Sequence, residues 1–406
     1  MSTYDVIVVG ARCAGSPTAM LLARRGYNVL LVDRATFPSD TISTHLIHPP
    51  GVSALKRWGL LDRLAATGCP AIARYNFDVG PVVLSGTPGG DDSPVAYAPR
   101  RTVLDKLLVD AAAASGVEVR EAFTVDDITM DDGRVTGIRG HAKGGQPVTE
   151  RARVIVGADG LRSRVAEAVA PEPYHEKPPI EAGYYTYFSG LPTNSEFEAY
   201  DRGTRGWAAW PTHDGLTLVV ASWPIAEFET NRHDPQRAYL ASFDRAPGFA
   251  ERVRAARQEE RLVGMSVPNY FRKPFGPGWA LVGDAGYNKD FITAQGISDA
   301  FLDSERCAAA IDESLAGRQP FDVAMGAYQA ARDAHALPIY EFTCQFARLQ
   351  PQPPEMQQLM RAIHGNEAAT NGFTRVFTGL VSPADFFSPE NVGRIMHAAG
   401  GGLSVS

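Results

Sequence analysis

Gly10 and Gly15, within "VVGARCAGSP" at residues 8–17, close an apolar run and open a helical one. Glycines at a strand-to-helix turn let backbone N–H groups close on a pyrophosphate, which the positive end of the helix also attracts. Gly10 permits the tight turn and Gly15 close helix–strand contact. The usual pattern is G-x-G-x-x-G, and here the middle glycine is Arg12, followed by Cys13 and Ala14. Arginine cannot let the backbone crowd the phosphates as glycine would. Its side chain must point away from them or reach around to them, and the second course sets a positive charge beside the pyrophosphate. The next apolar run ends at Asp33, with Arg34 behind it. A carboxylate there accepts hydrogen bonds from an adenosine ribose and disfavours a 2′-phosphate, which points to FAD or NAD rather than NADP.

Two later turns bear on the same question. "VGADGLRSRV" (156–165) sets Asp159-Gly160 after a buried strand and before a helix. Alone, it reads as a turn with a helix N-cap. Gly283-Asp284 ends another buried strand, and Asp284 can accept hydrogen bonds from ribitol hydroxyls. Shortly after, "TAQGISDAF" opens a helix whose amides near Gln295, Gly296 and Ile297 can face a flavin pyrimidine edge. That edge becomes negative on reduction, so a helix N-terminus stabilises it. Three such motifs in this order make the cofactor FAD. With a single dinucleotide fingerprint, any NAD(P)H reductant must bind transiently, without a domain of its own.

The elements that position these turns follow from hydrophobic periodicity. Residues 4–33 read as strand, turn, helix and strand, a β-α-β unit for a parallel sheet. Short helices at 52–67, strand-like segments at 73–84 and a helix at 101–114 follow. Next come "VEVR" and a hairpin turning at Asp131-Asp132-Gly133. From 175 to 265 aromatic, alternating strands dominate, with His213-Asp214-Gly215 as a hairpin turn that should leave His213 exposed. Long helices are expected at 293–316 and 321–348. The tail, 351–406, carries "PQPP", a short helix and a "GGG" segment, and reads as a packed helical appendage with a mobile end that either caps a pocket or forms a dimer face. The fold class is α/β: a Rossmann-like FAD-binding domain with a parallel sheet, interleaved with an antiparallel substrate domain, plus C-terminal helices. The expected boundaries are 1–72, 98–174 and 266–330 for the first domain, 73–97 and 175–265 for the second, and 331–406 for the helices.

Composition narrows the classes of function. At 406 residues, 44% hydrophobic and 21% charged, the chain has ample core. A net charge of −7 with no basic run argues against nucleic acid. Cys13, Cys69, Cys307 and Cys344 are scattered without a C-x-x-C pair, so free thiols and no metal centre are expected. A strand starts almost at once and no stretch is apolar enough to span a membrane, so the expectation is a cytoplasmic protein. The oligomeric state stays open.

Over residues 4–330 the three motifs resemble FAD-dependent oxidoreductases of the p-hydroxybenzoate-hydroxylase type, the group A flavoprotein monooxygenases, with their geranylgeranyl-reductase-like and halogenase-like relatives. The resemblance implies that the first turn and Asp33 bind the ADP half of FAD. It assigns the Asp159 turn to FAD and the passing nicotinamide, and Asp284 to the ribityl chain. Arg101 would lie near the FAD phosphate and ribityl, and the Val125 backbone near adenine. The chain also departs from the family pattern. Gly286, Tyr287 and Phe291 stand where Gly-Asp-Ala-Ala-His and then Pro are usual, and Ser43, Thr44 and His45 stand where an Arg is common. His45 either contacts flavin or substrate or is a satisfied loop histidine. Pocket walls are expected from Tyr184, Tyr185, Tyr187, Trp207, Trp210 and Phe291, around an apolar or aromatic small molecule. The implied reaction is oxygenation by NAD(P)H and O2 through a flavin C4a-hydroperoxide. The alternatives are a geranylgeranyl-reductase-like reductase or dehydrogenase and a redox-silent FAD-binding protein. A halogenase fits poorly, because "GWAAWP" has the wrong spacing for W-x-W-x-I-P and lacks its Ile.

Overall fold

In the computed structural model, which describes residues 3–401, the opening residues form strand Thr3–Val9, helix Gly15–Ala23 and strand Val29–Val32. The two strands pair in parallel, Val6 opposite Val29. Val148–Gly157 pairs in parallel on the other side of the first strand, and Trp279–Leu281 lies beyond it, also parallel. The first strand therefore sits mid-sheet, and its C-terminal end faces turns from two distant segments. All four residues of Val29–Val32 are buried, as a strand covered on both faces requires. The hairpin Phe123–Asp131 and Arg134–Ala142 turns at Asp132 and Gly133, both at positive φ, and continues the sheet antiparallel.

A second, antiparallel sheet carries Glu181–Ser189, Phe197–Asp201, Gly206–Pro211 and Thr217–Pro224. Tyr75–Asp78 and Val83–Gly86 join its far edge. Side chains alternate between its faces. Trp207, Trp223 and Phe188 pack against Tyr239, Phe243 and Phe249 of two outer helices. Tyr75, Phe77, Tyr185, Tyr187, Phe197 and Trp210 face inward. The fold is thus α/β with a parallel and an antiparallel sheet and C-terminal helices.

Two expectations need correction. The tail holds four helices rather than one: Pro354–Ile363, Glu367–Phe377, Pro383–Phe386 and Pro389–Gly401. Apolar residues at helical spacing (Leu359, Met360 and Ile363; Phe373, Val376 and Phe377) pack onto the inward face of the second sheet. The end of the glycine-rich segment, 402–406, lies outside the described residues. His213 does sit in the expected turn, but it is 5% exposed. Its Nδ1 accepts from the Arg100 amide at 3.1 Å, and its Nε2 meets Thr67 Oγ1 at 2.8 Å. The turn folds back against the start of helix Arg101–Ala114, which shields the imidazole.

Candidate active site

The first glycine turn has no spare room. A Cβ on Gly15 would lie 1.7 Å from the Gly10 carbonyl oxygen, and one on Gly10 2.5 Å from that of Ala158. Gly10 also has φ +102°, which side chains rarely adopt. Asp33 holds the turn from below, accepting from the Ala11 amide at 2.7 Å and the Ala35 amide at 2.8 Å. The Phe123 amide donates to the Asp33 carbonyl, which brings the strand bearing Val125 alongside. Arg34 is exposed.

The Arg12 side chain reaches across to helix Arg101–Ala114. Its guanidinium pairs with Asp105 and donates to Ser39 Oγ at 2.9 Å. Arg101, one turn before Asp105, donates to the same carboxylate at 3.0 and 3.1 Å. Two guanidiniums thus share one buried carboxylate, which leaves a surplus positive charge next to the glycine turn. The Cys13 thiol points at Asp105 too, and burial keeps it protonated.

Asp284 closes this group from the opposite side. Its carboxylate is solvent-exposed and accepts no hydrogen bond from the described residues. Protein nevertheless surrounds it so densely that desolvation pushes its pKa up to about 6, against the pull of Arg101 and Lys289. An open acceptor beside a surplus cation and a glycine turn fits a diphosphate joined to a polyol. Gly296, at the start of helix Gly296–Leu315, borders open space, while Ile297 behind it is buried. Asp159 accepts from the Arg164 amide at 2.6 Å, whereas its Oδ1 is buried without a partner. Ser163 caps the following helix, so Asp159 keeps one acceptor free.

Beyond this groove the structure separates the expected pocket residues into two sets. Trp207, Trp210 and Phe291 line a cavity of about 270 Å³. Its other walls include Phe77 and Phe197 from the sheet and Phe342, Met360 and Phe377 from the C-terminal helices. One end reaches half-buried Thr44, whose carbonyl accepts from Trp210 Nε1 at 3.2 Å, and the turn Phe291–Thr293. The other end opens at exposed Gln345 and Gln350. The tail therefore caps the pocket. No lysine or arginine lines it.

Tyr185, Tyr187 and His45 gather beside that cavity rather than in its wall. His45 Nε2 bonds the Tyr187 hydroxyl, and Tyr185 OH accepts from the Ser43 amide at 3.4 Å. The Arg100 guanidinium lies 4.0 Å from the Tyr187 ring centre, a cation–π contact. Burial, then Arg101 and Arg100, hold the His45 imidazole neutral. Its Nδ1 is buried without a partner. Tyr184 stacks on Trp223 on the opposite face of the sheet, away from the cavity, whereas Trp207 stacks on Tyr200, another wall residue. Alternation along one strand forbids Tyr184 and Tyr185 from sharing a wall.

The sequence reading missed His48, which does line the cavity. Tyr75 OH and His48 Nδ1 are 2.9 Å apart, and His48 Nε2 lies 2.9 Å from the Thr293 carbonyl. That carbonyl can only accept, so Nε2 carries the proton and Tyr75 donates to Nδ1. Burial pushes the imidazole pKa down to about 4, so His48 is a neutral tie between the loop before helix Pro49–Arg57 and the turn at Thr293. Its one sequence signal was a histidine directly ahead of Pro49-Pro50, the N-cap position of a helix. Among the described residues no cluster of His, Cys, Asp or Glu could hold a metal, and no helix is long and apolar enough to cross a membrane.

Comparison with known proteins bears on this groove. Residues 3–238 match the family described as FAD binding domain. A digeranylgeranylglycerophospholipid reductase of Methanocella arvoryzae is 28% identical over 316 residues, covering 76% of this chain and 77% of that protein. The structure of a flavin-dependent brominase superposes with a TM-score of 0.82 at 20% identity, covering 98% of this chain and 99% of the other. One described as a probable FAD-dependent monooxygenase from Pseudomonas aeruginosa gives 0.72 at 19% identity, covering 93% and 99%. At those identities the structural likeness speaks for the fold alone.

Proposed function

Because the chain belongs to the FAD binding domain family of oxidoreductases, we propose that it is a monooxygenase that uses NAD(P)H and O2 to oxygenate an uncharged apolar or aromatic molecule. The observation that carries this reading is the aromatic cavity ending at Thr44 and the turn Phe291–Thr293, beside the groove that suits FAD. When bound, FAD would supply the electron transfer and the activation of oxygen. In this reading Arg12, Arg101 and the turn Gly10–Gly15 hold its diphosphate, Asp33 its ribose and Asp284 its ribityl chain. The Val125 backbone meets adenine, Asp159 serves the same groove, and the Gly296 and Ile297 amides meet the ring edge. The remaining work falls to the chain. Phe77, Phe197, Trp210 and Phe377 desolvate the substrate, and neutral His48 holds the turn that separates substrate from cofactor. The overall reaction balances as substrate, O2, NAD(P)H and a proton giving oxygenated substrate, NAD(P)+ and water.

A second reading, reduction of a carbon–carbon double bond by NAD(P)H and a proton, is favoured by the name of the 28% identical relative. Against it, at the inner end of the cavity His48 gives its proton to the Thr293 carbonyl and Tyr75 gives its own to His48, so neither is free to protonate an alkene carbon. The test is NAD(P)H and O2 consumption by FAD-loaded protein over a panel of uncharged aromatic and alkene compounds. Oxygenation predicts substrate-stimulated NAD(P)H oxidation with matched O2 uptake and an oxygenated product. Turnover of an alkene under anaerobic conditions would replace it with the reductase. Flavin that binds but is never reduced during turnover would remove both.

A further inference from the structure

Glu181 and Asp290 are buried carboxyls that the reading above leaves without a task. Glu181 opens strand Glu181–Ser189 at 0% exposure, and neither of its carboxyl oxygens has a hydrogen bond at full geometry. Asp290 is 1% exposed; its Oδ1 accepts from the Ile292 amide at 3.1 Å and its Oδ2 has no donor. The two carboxyls face each other. Buried carboxylates so close ionise together only at a large cost, so at rest the pair retains a proton. Burial and the facing carboxyl both act to keep it on Glu181.

The surroundings offer no compensating charge. Lys289, next in chain to Asp290, gives its amino group to Asp299 and to the Tyr287 hydroxyl. From helix Phe321–Phe346 the facing group is the Cys344 thiol, which burial keeps protonated. Lys177 beyond it is tied to Glu341 at 2.5 Å. Asn269 contributes only an acceptor, to the Asp290 amide at 2.7 Å.

The pair also lies directly behind the cavity. Asp290 precedes the wall residue Phe291, whose ring covers Gly183: a Cβ there would sit 3.0 Å from Phe291 Cζ and 2.9 Å from Ser222 Oγ. Ser222 is itself a wall residue, and its hydroxyl is near enough to Glu181 to favour the ionised form. A carboxylic acid, a hydroxyl and the cavity therefore lie in sequence. Glycine at 183 leaves the passage between them free of a side chain.

We propose that Glu181 stores the proton that turnover consumes and that the Ser222 hydroxyl relays it into the cavity. The proposal rests on the redox reading above, since oxygenation and double-bond reduction each take up one proton per NAD(P)H. Ser222 gives its hydroxyl proton to the acceptor in the cavity and takes the one from Glu181. Glu181 is left as a carboxylate beside that of Asp290, and this doubly charged pair regains a proton from solvent before the next cycle. Glu181 is a positioning residue for that proton and does not touch the substrate.

Infrared spectroscopy of the FAD-loaded protein across pH tests the store directly. At about pH 8, well above the value of about 6 to which Asp284 and Asp303 are raised, a protonated-carboxyl stretch should remain. It should vanish in Glu181→Gln and persist in Ser222→Ala. The relay is read from reoxidation of dithionite-reduced holoprotein by O2, which takes up a proton in forming H2O2. At about pH 8 both variants should slow at least tenfold. A wild type without that stretch, or a Glu181→Gln that keeps it, overturns the store. Equal reoxidation rates in all three proteins overturn the relay. A protein that takes up no FAD would sink the functional reading, while the infrared spectrum of the FAD-free protein still decides the proton.

Discussion

At the turn Gly10–Gly15 a single added methyl group would lie 1.7 Å from a carbonyl oxygen. Across the molecule, Phe77, Phe197, Phe373 and Phe377 meet one another at ring-centre distances of 4.6 to 5.8 Å and define a surface by bulk. The two regions serve one site by different physics. The groove is built from backbone geometry and paired charges, where each position has one acceptable occupant. The cavity is built from interchangeable apolar volume, where the sum matters more than any member. Cofactor binding should therefore fail abruptly under mutation, and substrate binding by degrees.

The largest expected effect is Gly15→Val, which forces strand and helix apart at the turn. We expect loss of FAD binding together with destabilisation above ~4 kcal/mol, read by flavin fluorescence and a denaturant melt. A variant that stays folded and yellow would break the contrast at its strongest point. Asp105→Ala comes next. It leaves the guanidiniums of Arg12 and Arg101 facing each other without their shared carboxylate, at a cost of ~3–5 kcal/mol. The FAD diphosphate would then be their remaining anion, so FAD should raise the melting temperature of this variant more than that of wild type. Arg12→Gly leaves the Arg101–Asp105 pair intact and should cost less stability while still loosening FAD. Unchanged FAD affinity there would make Arg12 a structural clamp alone.

The same contrast explains what could be read from sequence. Gly10, Gly15, Asp33 and Asp284 announce themselves because a tight turn or a strand end imposes a residue type locally. The helix Arg101–Ala114 and the hairpin around Asp132-Gly133 were legible for the same reason. His48 and Thr293 are separated by 245 residues, and Gln295 and Phe377 by 82, so neither pairing has a local sign. Alternation put Tyr185 and Tyr187 on one face and Tyr184 on the other, but it could not say where along that face the cavity lies. The tail was read as a packed helical appendage, but with one short helix instead of four, although the spacing of Leu359, Met360 and Ile363 already carried a helix face.

A smaller effect should separate volume from chemistry in the cavity. Ala208→Trp places an indole among the lining residues without touching the cofactor groove. Overpacking of this kind costs ~1–3 kcal/mol. FAD affinity should hold while substrate-stimulated NAD(P)H oxidation disappears. If substrate still accelerates turnover, the cavity is not where it binds and the monooxygenase reading loses its main support.

The smallest effect is one of pH, and it lies on the charged side of the comparison. Asp303 is 3% exposed, with its Oδ2 unpartnered and its Oδ1 held by Arg306 at a long 3.4 Å. Burial, only partly offset by Arg332 and Arg306, pushes its pKa from 3.8 up to about 6. The folded protein therefore binds this proton more tightly than the unfolded chain does. Between about pH 4 and about pH 6 the native state holds the extra proton, so stability falls as pH rises through that window. A shift of that size caps the change at ~3 kcal/mol, and relaxation around the charge should reduce it to ~1–2. Asp303→Asn removes this component but leaves those of Asp284 and Asp290, raised to about 6 for the same reason. Urea midpoints for the variant should thus decline less steeply than wild type across the window and lie above it at neutral pH. A parallel decline would mean that Arg306 and Arg332 already neutralise Asp303. In that case the charged region tolerates its buried carboxylate as readily as the apolar region tolerates a changed ring.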